Sequence, residues 1–173
     1  MRKHARLRGF TLVEMMITVL VLSILLGVAV PSFLQTVRNN RLISQANELV
    51  GALNYTRSEA LKRAESVSMC SSDDNTTCTG SRNWSRGWII FVDTNANGGA
   101  DAGELVLQTA PAVPAEFTLT AAARPFVRYT STGMAGSGAE IFDLLRPTCT
   151  GDNARRITIS AVGRVNTRTV ACP

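Results

Sequence analysis

The chain has 173 residues, 45% hydrophobic and 6% aromatic, with 18 Lys and Arg against 13 Asp and Glu, which suits one domain with an extension. Four of the cations (Arg2, Lys3, Arg6, Arg8) precede Gly9, so the remainder carries 14 basic against 13 acidic residues and the formal +5 does not mark a general polyanion binder. The single histidine is His4, and neither a nucleophile–histidine pair nor a phosphate loop or dinucleotide fingerprint follows, so neither an enzyme nor a small-molecule substrate is expected.

Residues 10–30 form an apolar run with one charge, Glu14. As a helix this run is about 31 Å long, enough for a bilayer core. The cations before it and the absence of acids there keep that end cytoplasmic, so the residues after Arg38 fall on the far side. A carboxylate in a spanning helix costs about 3 kcal/mol and needs a partner. A cut after Gly9 would place a new α-amino group on Phe10, four residues before Glu14. In a packed bundle of such helices that amine, on a neighbouring subunit, neutralises the acid and sets the stagger. A secretory signal peptide fits less well, because no A-x-A site follows the apolar core. A plain signal anchor, with Glu14 reaching toward the cytoplasmic interface, is the other reading.

After Pro31 the pattern becomes amphipathic. Leu34, Val37, Leu42, Ala46, Leu49, Leu53, Ala60 and Ala64 recur at helical steps, opposite Arg38, Arg41, Glu48, Arg57, Glu59 and Lys62. One helix over 11–65 is predicted, bent at Pro31, whose ring removes a backbone donor and crowds the preceding turn. Beyond Ser66 the period falls to two. Strands are predicted at 67–70, 87–93, 104–109, 116–120, 126–130, 140–145, 156–162 and 168–172, with turns at 71–85, 95–103 and 132–138. The fold class is therefore α+β: a long N-terminal helix, partly membrane-spanning, packed on a C-terminal antiparallel β domain. The expected division is a leader at 1–9, a membrane and assembly half-helix at 10–31, an amphipathic half-helix at 32–66, and a β domain at 67–173.

Cys70, Cys78, Cys149 and Cys172 all follow the membrane segment. An even count beyond the membrane suggests two disulfides. Three pairings are open; Cys70–Cys78 and Cys149–Cys172 are expected, since each encloses a loop or hairpin. No C-x-x-C spacing supports zinc. Trp84 and Trp88 read as core or loop anchors.

Two constellations could bind ligands. Asp93, Asn95, Asn97, Gly98, Asp101 and Glu104 fit the twelve-residue calcium-loop spacing, with oxygen ligands at alternating positions and a glycine at the bend. Strands flank it instead of helices, and a long hairpin turn uses the same residues for their backbone freedom. No other cofactor is expected. From Arg124 onward seven arginines face Glu140, Asp143 and Asp152 alone. Arg164 and Arg168 are expected to flank a hairpin tip at 163–168, with Arg155 and Arg156 at the start of the preceding strand. Such a group suits salt-sensitive DNA contact, or it keeps a strand edge soluble.

The motif Gly9-Phe10-Thr11-Leu12-Val13-Glu14-Met15 resembles the class III signal of type IV pilins and type II secretion pseudopilins. The resemblance implies cleavage after Gly9 by a prepilin peptidase, N-methylation of Phe10, an assembly role for Glu14 and a helix kink at Pro31. The segment 87–93 with the polar loop after it, Arg57-Ser58-Glu59-Ala60, and Gly163-Arg164 are similar to the H-type minor pseudopilins and the FimT/FimU-type minor pilins. This narrower resemblance implies the pilin fold and a minor subunit that primes and caps a type IV pilus at or near its tip, with other minor and major pilins as partners. It also implies residence in the inner membrane, with the C-terminal domain in the periplasm, before the subunit enters the surface pilus. Some FimT-type pilins are linked to DNA capture. The H-type pseudopilin of a type II secretion system is the rival machine.

Overall fold

The computed structural model describes residues 9–147, Cys149, Gly151 and residues 153–172. The expected leader, apart from Gly9, lies outside the described residues. The chain divides into two units, one up to Asn40 and one from Arg41 onward. The first element is α1 (Leu12–Arg63), which contains Pro31. Eight strands follow: β1 (Val67–Ser71), β2 (Trp88–Val92), β3 (Val106–Ala110), β4 (Thr118–Ala121), β5 (Phe126–Tyr129), β6 (Glu140–Leu145), β7 (Ala154–Ile159) and β8 (Val165–Val170). The α+β reading and all eight strand positions hold, with ends moved by up to three residues.

In the first unit α1 starts at a capping threonine: the Glu14 N–H donates to Thr11 Oγ1 at 3.2 Å. The hydroxyls of Thr18 and Ser23 donate to the carbonyls of Met15 and Leu20, so these two hydroxyls in the apolar run find partners inside the helix. The most apolar 18-residue window has a mean hydropathy of 2.5, and none of it is buried.

In the second unit the helix turns a stripe inward, formed by Leu42, Ala46, Leu49, Ala52, Leu53, Thr56 and Ala60. Leu34 and Ala64 are exposed, so the buried stripe is shorter than the sequence pattern suggested. Glu59 is also buried, contrary to its assignment to the polar face. Lys62 and Arg63 close on it at 3.0 Å each, and this pairing is what makes the position tolerable. Their hydrogen bonds hold the Glu59 carboxyl below its ordinary range.

The strands form two antiparallel four-stranded sheets, ordered β3-β2-β1-β5 and β4-β6-β7-β8. One apolar core joins the helix stripe to both sheets, with Trp84 meeting Phe142 edge-on at 4.9 Å. A second, small core of Cys70, Ile89 and Phe91, with Phe126 beside it, lies on the other face of the first sheet. Strands β1 and β2 are therefore buried along their whole length, where simple alternation predicts one wet face. Disulfides join Cys70 to Cys78 and Cys149 to Cys172, each with Cα atoms 5.6 Å apart, the pairing expected from the loops.

Candidate functional site

The N-terminal candidates sit together at the start of α1. Gly9, Phe10 and Glu14 are all exposed, and Glu14 lies in the first turn. Its carboxylate is favoured there by the helix dipole. Within this unit nothing covers the apolar side chains from Phe10 to Phe33, so the burial that would stabilise them must come from a bilayer or from other chains. The helical assignment runs through Pro31 without a break.

The four arginines are not one patch. Arg156 faces Asp143 across β6 and β7 and grips it with two bonds, Nε to Oδ1 at 2.7 Å and Nη2 to Oδ2 at 3.0 Å. Its charge is thereby largely neutralised, and the pairing raises its own pKa further. Arg155 points to the opposite face. It donates to Thr169 Oγ1 and lines a hollow with Ile43, Ala46, Asn47 and Thr167, half-buried beside the helix. Arg164 does sit at the hairpin turn, where Ser160 N–H donates to its carbonyl at 2.9 Å. Arg168 stands mid-strand opposite Arg156, not at the tip, because β8 begins at Val165 and places it four residues past the turn. Arg164 and Arg168 are exposed.

The calcium-spaced loop is brought together, but its oxygens face its own donors. Asp93 is fully buried. It accepts from Asn97 N–H and Gly98 N–H at 3.0 Å each and from the Ser68 hydroxyl at 2.6 Å. Asp101 accepts the side-chain amides of Asn95 and Asn97 at 2.7 and 2.8 Å. Glu104 accepts Thr94 N–H at 2.9 Å and Asp101 N–H at 3.0 Å. Among the described residues no group of three or more His, Cys, Asp or Glu converges as metal ligands. Gly98, with φ of 80°, lies against the Phe126 ring, where an added Cβ would come within 2.5 Å. Arg128 donates to the Ala96 carbonyl, and Ala100 N–H points at Cys78 Sγ at 3.3 Å. The loop is thus a lid over the small core, tied to the Cys70–Cys78 disulfide. The hairpin-turn reading of these residues describes it.

Sequence reasoning missed a clamp at the end of the helix. Arg57, assigned to the polar face, donates from Nε to the Gly133 carbonyl at 2.8 Å and from Nη2 to the Val162 carbonyl at 3.3 Å. Gly163 has φ of 78°, and an added Cβ there would lie 2.3 Å from the Gly133 carbonyl oxygen. The two short motifs around Arg57 and Gly163 therefore meet, 106 positions apart in the numbering, through one side chain and one glycine. A positive φ at a glycine beside a hairpin turn is legible in a sequence; its distant partner is not. Glu140 is the other missed residue. It is almost fully buried and accepts Ala123 N–H at 2.9 Å and Arg124 N–H at 2.8 Å, holding the turn before β5.

Residues 45–163 match the family described as Type II transport protein GspH, and residues 5–30 match the prokaryotic N-terminal methylation motif. Two crystal structures of the Pseudomonas aeruginosa type IV minor pilin FimU share the fold. One is 24% identical with a TM-score of 0.62, covering 79% of this chain and 98% of that one. The other is 23% identical with a TM-score of 0.58, covering 75% and 98%. No curated protein sequence matches. With more than half its length matched and a methylation motif at the head of its helix, the chain belongs to the GspH family of minor pilins and pseudopilins, whose proteins are structural and not enzymatic.

Proposed function

We propose that this chain is a minor pilin that primes assembly of a type IV pilus and sits at or near its tip. Prepilin peptidase cuts between Gly9 and Phe10, and Phe10 is then N-methylated. The half-helix at 10–31 waits in the inner membrane. Glu14 meets the Phe10 amine of an adjacent subunit as the filament is extruded. Pro31 supplies the bend before the amphipathic half at 32–66, and the β domain at 67–173 lies in the periplasm until extrusion carries it outward. The observation that carries this reading is a capped, wholly uncovered apolar helix start with Glu14 as its one acid, directly after Gly9–Phe10. Such a surface is stable only in lipid or among its own kind.

The test is mass spectrometry of the N-terminus of the wild type and of Gly9→Val. The expected wild-type product starts at a methylated Phe10 and enters filaments, while the variant keeps its leader and stays in the membrane. A filament-borne subunit with an intact leader overturns the reading.

The family match favours a second machine, the type II secretion system. Deleting the gene separates the two: loss of surface pili supports the first, and loss of protein secretion with pili intact supports the second. DNA capture is the further role proposed for the two exposed arginines, Arg164 and Arg168. Full-length protein in detergent should then bind duplex DNA with a steep salt dependence that the Arg164→Ala/Arg168→Ala variant loses. Equal affinity in that variant overturns it.

A further inference from the structure

Among the described residues from Arg41 onward, only four large hydrophobic side chains are exposed: Leu61, Leu105, Met134 and Val162. Three of them gather at one place. Leu61 lies on the last turn of α1, and its Cδ2 is 3.1 Å from where a Cβ on Gly133 would stand. Met134 follows Gly133 directly. Val162 precedes Gly163, which packs on the Gly133 carbonyl, and Ala135 N–H donates to Ala161 at 3.1 Å. Arg57 bonds the carbonyls of both Gly133 and Val162. Three chain segments are thus locked together beneath three side chains that are 50%, 50% and 53% exposed. A lone exposed leucine means little, but a group on a fixed backbone presents a ready-made contact at little ordering cost.

We propose that Leu61, Met134 and Val162 form a docking surface for the globular domain of a different subunit of the same filament. This inference rests on the pilin reading above. The occupant's chemistry follows from the rim. Arg57, Lys62, Arg63 and Arg164 here stand against Glu59 and Glu65, so two positive charges remain in excess even with Glu59 paired to Lys62 and Arg63. The complementary face is therefore an apolar patch bordered by carboxylates, which a second copy of this basic-rimmed surface does not offer. A bilayer has no use for three segments held in fixed shape, whereas a packed protein contact needs that shape. Methionine among the three lets the patch adapt to its partner's side chains.

The test places a photoreactive residue at Met134 in the full-length chain in cells, with Leu105 as the control position. The expected adduct at position 134 contains another protein bearing an N-terminal methylation motif, and the control gives none. The Val162→Asp variant, exposed and so still folded, should reduce the adduct about tenfold or more, since it removes an apolar contact and sets a carboxylate against the partner's carboxylate border. Absence of an adduct, or one with this same chain, with phospholipid or with nucleic acid, overturns the proposal. N-terminal processing and filament entry are followed in the same cells. If both are intact and the adduct is missing, only the docking surface fails; if processing itself fails, the pilin reading fails with it.

Discussion

The part of the chain up to Asn40 and the part from Arg41 onward use apolar residues for opposite ends. In the first, Leu, Val, Ile and Met cover every side of the helix, and those from Leu12 to Leu34 are exposed. In the second, the same helix spaces them at three and four residues, and Leu42, Leu49 and Leu53 are fully buried. One helix, Leu12–Arg63, runs through both, with a single backbone donor missing at Pro31. The difference lies in who supplies the burial. The first part holds its apolar surface in reserve for lipid and neighbouring helices, while the second spends it on its own core.

The largest expected effect separates the two functions. Glu14→Ala should abolish entry into filaments while leaving the thermal transition of the β domain unchanged, as read by sheared-pilus immunoblots and by circular dichroism of the purified subunit. A parallel loss of both would break the division. Next, Leu53→Ala should cost about 3 kcal/mol of domain stability by denaturant unfolding, the usual toll of a cavity at a sealed leucine, with membrane insertion untouched. Removing the short disulfide with Cys70→Ser/Cys78→Ser should cost about 2.5 kcal/mol by loop-closure entropy. It should also speed proteolysis within 93–104, whose Ala100 N–H points at Cys78. Gly163→Ala should cost about 1–3 kcal/mol, since it meets the Gly133 carbonyl in a left-handed backbone.

The smallest effect is a pH dependence. Glu59 is held below its ordinary range by Lys62 and Arg63, so the folded state binds its proton less readily than the unfolded chain does. Its contribution is fully present above about pH 4.3 and fades as the pH falls through the lowered value. Glu59→Gln should flatten that acid limb and leave stability at neutral pH only slightly reduced, as followed by melting temperature against pH.

Much of this was readable before any coordinates. The methylation motif, the extent of α1, the strand positions and the local disulfides each depend on short stretches of chain whose chemistry is self-contained. A run of 21 residues with one acid and a basic leader admits few solvents other than a membrane. The pairing of Cys70 with Cys78 follows from nearness in sequence as much as in space.

Tertiary structure alone decided what depended on contacts between distant segments. It buried both faces of β1 and β2, because the loop over 93–104 covers a second small core that no alternation reveals. It turned Glu59 and Arg57 inward by giving each a partner, and it split the arginines by committing Arg156 to Asp143 and Arg155 to the helix side. Charge and period describe what a residue prefers in isolation. Where a partner meets it at hydrogen-bond distance, the exchange of water for that partner overrides the preference, and only the folded chain states which partner arrives.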